Sequence, residues 1–327
     1  MVSEAEKIER EKLIEKITRA TGKKPYGRVE LTDDTSIMMN VYRGQVLRLE
    51  GREFYILGDV MEPRFGLDDQ PKYWVKRAFD LADGSTKILK LVFYEEFTAH
   101  VGPIRIRCFR SPQKESRVLD LVRGDPRFMQ GLTLEDAYEN EVRVIDFIFG
   151  KTMYDHIFDL EMDHESYFHT QMPVMLQNFV GCMEAIDKLH GFDVCHGDIR
   201  NDHIIIDRDT GMFRWIDFDL SQHFPDYDVW SLGNLLAFII GMGMRSFHEV
   251  EESDDYSPQV KASLSSSDAS SFFHYRIMNL GKLFPYLPKK LNDMLMRFAV
   301  NSKIYYETVT QLVDDLSDAL ADLDIEG

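Results

Sequence analysis

Apolar positions recur at helical spacing near the start of the chain and again through its second half. Within residues 3–20, isoleucine and leucine side chains fall on one helical face, and Gly22 follows as a stop. Residues 229–243 are apolar almost all round, which is typical of a helix buried on every side. The same spacing predicts two closing helices, at 287–300 and 305–324.

Short β-branched and aromatic runs between these helical regions predict antiparallel strands. They begin at residue 36, and a later run over residues 73–93 contains Asp83-Gly84, a strong hairpin signal. Ser111 and Pro112 then form an N-cap and a first helical position, and the helix that they start ends before Gly124. The pattern predicts an α+β protein whose first third is mostly sheet.

This order of elements predicts three segments. Residues 1–50 form an N-terminal extension of one helix and extra strands, residues 51–149 form a β-rich lobe, and residues 150–327 form a helical lobe. Residues 249–272 within that last lobe are acidic, serine-rich and aperiodic, which predicts a loop or a partly disordered insertion.

Composition narrows the classes of function. The net charge of −18 repels a nucleic-acid backbone, and no concentrated basic patch offsets it, so we expect no nucleic-acid binding. Three scattered cysteines do not predict a disulfide framework and favour a reduced, cytoplasmic compartment. No apolar run has the length of a secretory or membrane-spanning segment, so we expect no membrane association.

Two carboxylates are the first candidates for chemistry. Asp198 follows a His-Gly pair after a long predicted helix, and Asp217 follows two short strands later. A ribbon of two strands would bring both acids to one end, and two neighbouring carboxylates hold a metal more often than they act as an acid/base pair. We therefore predict a divalent-metal site here.

The segments around these acids resemble the protein-kinase-like superfamily, over residues 52–320. The run VKRAFDLADGSTKILK is similar to the second and third strands of the small lobe and makes Lys90 the phosphate-binding lysine. Glu115, in QKESRVLDLV, stands where the family has the glutamate that pairs with this lysine. Gly58 lies in the region of the glycine-rich loop. The adenine-binding hinge of the family corresponds to Asp146, Phe147, Ile148 and Phe149.

The second half of the resemblance covers the reacting groups. HGDIRNDH resembles the catalytic loop, with Asp198 as the base and Arg200 in place of the lysine that contacts the transferred phosphate. IDFD replaces the metal-binding Asp-Phe-Gly, with Asp217 as the ligand. In DVWSLG, Asp228 corresponds to the residue that braces the catalytic loop. The resemblance implies a bilobal kinase-like fold that binds ATP with Mg²⁺ or Mn²⁺.

Several positions depart from the family pattern. His203 replaces the metal-binding asparagine, and an imidazole ligand favours Mn²⁺ over Mg²⁺. Gly197 replaces the arginine that senses a phosphorylated activation loop in many kinases. The short segment between Asp217 and Asp228 leaves no room for a long activation segment, so switching by loop phosphorylation is not expected. Acidic residues near Gly58, including Asp59, would repel phosphate.

The sequence therefore predicts a phosphotransferase that moves the γ-phosphate of ATP to a hydroxyl, on a protein in the first interpretation. One alternative is a pseudokinase, a nucleotide-binding or scaffolding module without turnover. Another is a small-molecule kinase of the aminoglycoside or choline type, which the resemblance also covers. In the scaffolding case, a protein partner would contact the N-terminal helix or the 249–272 insertion.

Overall fold

The computed structural model describes residues 4–25, 27–64, 67–102, 104–222, 224 and 226–326. With 38% of the chain in helices and 25% in strands, the protein is α+β, as the sequence predicts. The chain divides into two compact units. The first unit comprises residues 1–95, 110–125 and 129–148, and the second comprises residues 96–109, 126–128 and 149–327.

Helices and strands alternate along the described chain. The helices are α1 (Glu4–Thr21), α2 (Pro112–Leu121), α3 (Met153–Phe158), α4 (His164–Thr170), α5 (Met172–His190), α6 (Tyr227–Ile240), α7 (Phe247–Glu252), α8 (Pro258–Ser263), α9 (Lys289–Met296) and α10 (Val309–Glu326). The strands are β1 (Leu31–Thr32), β2 (Val46–Leu49), β3 (Arg52–Arg64), β4 (Leu67–Asp80), β5 (Thr86–Lys90), β6 (Glu95–Val101), β7 (Ile104–Arg110), β8 (Gly131–Glu135), β9 (Glu141–Asp146), β10 (Gly150–Thr152), β11 (Ile204–Asp207), β12 (Phe213–Trp215) and β13 (Leu220–Gln222).

The first unit is built on a curled seven-stranded sheet in the order β1-β2-β3-β4-β5-β9-β8. The predicted hairpin joins β4 to β5, and Gly84 takes the left-handed conformation (φ +77°) that its turn requires. Phe54, Ile56 and Leu89 form part of the core of this sheet. The predicted N-terminal helix is confirmed as α1, which buries Leu13 and Ile17.

The second unit is mainly helical. Helices α5 and α10 pack together, and α5 also packs against α6 and β12. Strands β10, β11 and β12 form an antiparallel ribbon beside them. Trp215 at the end of β12 is fully buried and donates its indole N–H to the backbone oxygen of Cys182 in α5. This bond fixes the end of the ribbon, two residues before Asp217.

A second small sheet in this unit was not predicted. Strand β13, just after Asp217, pairs with β7, and β7 pairs with β6. Ile106, Cys108 and Leu220 are buried together in its core. The segment that follows Asp217 is therefore held as a strand, and α6 begins at Tyr227 shortly after it.

Residues 249–272, interpreted as a loop or partly disordered insertion, also contain short helices. Helix α7 begins at a capping box in which Ser246 and Glu249 exchange hydrogen bonds, and Ser257 caps α8. The buried carboxylate of Asp268 then accepts hydrogen bonds from Lys282 and Asn279. Caps and one buried acid order a segment that has no apolar periodicity.

The two closing helices are confirmed as α9 and α10. Across the part of the chain that is described, none of the helices combines the length and the apolar character needed to cross a bilayer.

Candidate functional site

Asp228 holds the loop that carries Asp198 in place through hydrogen bonds. This carboxylate, in the first turn of α6, accepts hydrogen bonds from the backbone N–H groups of His196 (2.7 Å) and Gly197 (2.9 Å). It also accepts one from Nε2 of His190, at 2.9 Å. Burial raises the pKa of Asp228, but these donors outweigh burial and hold the pKa below its usual value. The predicted brace of the loop is confirmed.

Gly197 is required by the shape of this loop. Its φ of +83° lies in the left-handed region, which residues with a Cβ atom rarely adopt. Gly197, which stands where the kinase pattern has an arginine, allows the backbone to turn so that its N–H donates to Asp228.

His196 is fully buried. Its ring packs on Phe218, with centroids 4.4 Å apart, and edge-on against Trp215 at 5.0 Å. Its Nδ1 atom accepts the backbone N–H of Asp198 at 3.3 Å. The aromatic core of the second unit therefore sets the position of Asp198.

His203 connects the two predicted acids. Its Nδ1 atom lies 2.7 Å from the backbone oxygen of Asp198 and 3.8 Å from the Oδ2 atom of the same residue. Its Nε2 atom lies 3.4 Å from Oδ2 of Asp217. The ribbon of β11 and β12 thus brings Asp198 and Asp217 to one histidine ring, as the strand pattern predicts.

The hydrogen bonds of His203 decide which ring nitrogen can bind a cation. A carbonyl oxygen only accepts hydrogen bonds, so Nδ1 must carry the hydrogen that is shared with Asp198. In the neutral ring, Nε2 then presents its lone pair toward Oδ2 of Asp217, which is also an acceptor. A cation between these two acceptors, either a proton or a metal ion, would offset their repulsion at 3.4 Å. The donor set of one imidazole and one carboxylate fits a divalent ion.

Asp217 has a strained backbone. Its φ of +70° is left-handed although the residue has a Cβ atom, a conformation that costs of order 1–3 kcal/mol and that clusters at functional sites. The buried Phe218 that follows it, and the pairing of β13, hold this conformation in place.

Arg200 lies near both acids but has a partner of its own. Its Nε and Nη2 atoms contact the two carboxylate oxygens of Asp202 at 2.9 and 2.5 Å. Burial lowers the pKa of Arg200, while Asp202, Asp198 and Asp217 together outweigh burial and raise it. The guanidinium is therefore held as one arm of a bidentate pair, an arrangement that sequence reasoning missed.

In the first unit, Lys90 and Glu115 are paired, as the kinase resemblance implies. The Nζ atom of Lys90 lies 2.6 Å from Oε1 of Glu115, whose side chain is completely buried. Arg143 on β9, also buried, places its Nε atom 3.4 Å from the other carboxylate oxygen. Sequence reasoning missed Arg143, although a single arginine within the apolar strand β9 was a usable signal.

The predicted hinge residues lie at and after the end of β9. Asp146 pairs with Lys87 at 2.6 Å, and the ring of Phe147 lies under the guanidinium of Arg77. Ile148 is the last residue of this part of the first unit, whereas Phe149 belongs to the second, where its backbone oxygen accepts the N–H of Arg208.

Gly58 lies at a bulge in the β3–β4 pairing, with φ +144°. Asp59, whose charge was expected to repel phosphate, is paired with the buried Lys76 at 2.7 Å. Lys76 therefore offsets the charge of Asp59. Gly66, the second glycine of this region, lies outside the described residues.

No protein-family model matches the chain, and no curated protein matches it either.

Proposed function

We propose that this protein is an ATP-dependent and divalent-metal-dependent phosphotransferase of kinase-like, bilobal architecture. The observation that carries the proposal is the pair of facing acceptors, Nε2 of His203 and Oδ2 of Asp217, directly beside Asp198. Phosphoryl transfer needs positioned carboxylates and charge compensation rather than covalent help from the protein. Asp198 and Asp217 supply the positioned carboxylates.

Each residue has one role in the proposed reaction. Asp198 orients the acceptor hydroxyl and takes its proton as the new P–O bond forms and the bond to ADP breaks. Asp217 and His203 hold a divalent ion, which would offset the charge of the ATP phosphates. Lys90, fixed by Glu115, contacts phosphate oxygens, and Arg200 adds positive charge near the transferred group.

The proposed acceptor is a hydroxyl on a protein. The short connection from Asp217 through β13 to α6 supports a second class, small amino alcohols or sugars, because no long segment is present here to hold a peptide. Transfer of labelled phosphate to the protein itself and to generic proteins, compared with transfer to a panel of amino alcohols and sugars, separates these classes.

One observation favours a second candidate function, a nucleotide-binding or scaffolding module without turnover. The guanidinium of Arg200 is already engaged by Asp202, and it must leave this pair to contact a transferred phosphate. An Asp202→Asn variant should release Arg200. If the protein is an enzyme, its phosphotransfer rate should rise; if it is a scaffold, no phosphotransfer should be detected.

The first test is a thermal-shift titration with ATP and with ADP, each with Mg²⁺, Mn²⁺ or chelator. A ligand at 100 times its dissociation constant adds about 2.7 kcal/mol, which corresponds to a shift of several degrees. We expect a metal-dependent shift that is lost in Asp217→Asn. The absence of a shift under every condition would rule out the nucleotide site.

Turnover is tested separately. Asp198→Ala should retain the nucleotide-dependent shift and lose phosphotransfer, because Asp198 acts on the acceptor rather than on the metal. Full phosphotransfer by Asp198→Ala would exclude the proposed mechanism. A shift with no transfer in the wild-type protein would support the binding module instead.

A further inference from the structure

The three cysteines occupy different environments. Cys108 and Cys182 are buried, whereas Cys195 is exposed. Burial raises the pKa of the Cys182 thiol well above its usual value, against a smaller lowering by the charge of Arg127, and keeps that thiol protonated and unreactive. Cys195 is therefore the cysteine that solvent and small reagents can reach.

The loop after α5 places the sulfur of Cys195 close to the end of that helix. His190 is the last residue of α5, and the turn that follows includes Asp193 in a left-handed conformation, with φ +57°. The Nε2 atom of His190 lies 2.9 Å from Oδ2 of Asp228. Ligand-type atoms of Cys195, His190 and Asp228 all lie within 4.8 Å of one another.

The hydrogen bonds of this group assign the charges. Asp228 accepts three of them, two from backbone N–H groups and one from Nε2 of His190, so its carboxylate is ionised. Burial lowers the pKa of His190, but the neighbouring Asp228 and Cys195 outweigh burial and raise it to about 10. At neutral pH an imidazolium therefore lies beside the Cys195 sulfur.

We propose that Cys195 is a nucleophilic thiol, activated by His190 and oriented through Asp228, that forms mixed disulfides with low-molecular-weight disulfides. A nucleophile next to a basic ring that a third group orients is the general arrangement of activated thiols. The Cys195 thiol loses its proton to solvent, and its sulfur attacks one sulfur of the reagent. A new S–S bond forms as the reagent's S–S bond breaks and its second half leaves as a thiolate.

The same three residue types also bind zinc, but the hydrogen bonds favour the thiol function. The Nε2 atom of His190 points its hydrogen at Asp228 rather than presenting a lone pair to a metal. Oδ2 of Asp228 also accepts the N–H of His196, and Oδ1 accepts the N–H of Gly197. A metal ion bound by Nε2 of His190 would break the hydrogen bond from His190 to Asp228.

The test is the rate at which 5,5′-dithiobis(2-nitrobenzoic acid) modifies the folded, full-length protein in chelator at mildly acidic pH. We expect release of one equivalent of thionitrobenzoate, about tenfold faster than from the urea-unfolded chain, because the His190 ring lies beside the attacking sulfur only in the folded protein. Cys195→Ser should lose this phase, and the buried-cysteine control Cys108→Ser should keep it.

The role of His190 is tested with His190→Gln, which can still donate a hydrogen bond to Asp228. Its rate should fall about tenfold while its melting temperature stays within a few degrees of the wild type. If this variant does not fold, the wild-type rate decides alone. Reaction of folded Cys195 no faster than in the unfolded chain would overturn the proposal. Blocking by equimolar Zn²⁺, reversed by chelator, would overturn it in favour of a metal site.

Discussion

The ring of His203 lies between two acids, with Nε2 3.4 Å from Oδ2 of Asp217 and Nδ1 2.7 Å from the backbone oxygen of Asp198. Because the carbonyl fixes the hydrogen on Nδ1, the lone pair of the neutral ring faces Asp217. This geometry makes Nε2 of His203 available as a metal ligand, which substitution can test. A substitution at His203 should change which metal the protein prefers.

We expect His203→Asn to shift the metal preference toward Mg²⁺. Imidazole nitrogen favours Mn²⁺, whereas an amide oxygen suits the harder Mg²⁺ ion. The ratio of Mn²⁺ to Mg²⁺ affinity should fall about tenfold, which is about 1.4 kcal/mol. Calorimetric titration of each ion in the presence of ADP measures this ratio.

His203→Ala is the matched control for this experiment. It removes the ligand without replacing it, and should weaken the binding of both ions while leaving Asp217 in place. An unchanged Mn²⁺ to Mg²⁺ ratio in both variants would show that His203 does not touch the ion.

The buried group of Lys90, Glu115 and Arg143 makes a prediction about stability. Glu115→Ala would leave two buried cations without their shared carboxylate, and we expect it to lower the free energy of unfolding by about 3–5 kcal/mol. Lys90→Met keeps the Glu115–Arg143 pair and fills similar volume, so it should cost about 1–2 kcal/mol. Urea denaturation compares the two, and equal losses would mean that Arg143 does not share the charge of Glu115.

Local signals predict much of this arrangement. The Asp-Gly hairpin places Lys90 on β5, and the Ser-Pro start of α2 places Glu115 one turn into a helix. Both depend on turn and cap chemistry within a few residues, which the sequence shows directly. Their 2.6 Å pairing follows once the strand and the helix are packed.

The features that sequence reasoning missed depend on contacts between distant segments. Strand β13 forms only because β7, more than a hundred residues earlier in the chain, provides its partner. The pairing of Arg200 with Asp202 competes with the phosphate contact that the kinase resemblance gives to Arg200. The positions of these residues in the sequence do not show which partner Arg200 takes. The short helices α7 and α8 depend on caps rather than on apolar periodicity.

Two helical glycines give a paired test of packing in the second unit. A Cβ atom at Gly233 in α6 would overlap the ring of Phe298, so Gly233→Ala should lower the free energy of unfolding by about 1–3 kcal/mol. A Cβ atom at Gly181 in α5 meets nothing within 4 Å, so Gly181→Ala should raise it by about 0.5–1 kcal/mol. Thermal melts of both variants check the signs, and a stabilising Gly233→Ala would contradict the contact between α6 and Phe298.

The pair of His190 and Asp228 predicts a loss of stability at alkaline pH. The pKa of His190 is raised in the folded protein from 6.5 to about 10, so the folded state binds this proton more tightly than the unfolded state does. The stabilisation is complete below pH 6.5 and disappears as the pH rises toward 10. Since the ring is partly exposed, we expect the effect to be on the order of 1 kcal/mol.

His190→Gln isolates this effect from other groups that titrate in the same range. Glutamine can still donate a hydrogen bond to Asp228 but has no proton to release, so its difference in unfolding free energy from the wild type should shrink between pH 6.5 and 10. Urea denaturation at intervals across this range measures that difference. A difference that stays constant would mean that His190 has the same proton affinity in the folded and unfolded states, and that Asp228 braces the loop without holding a charged ring.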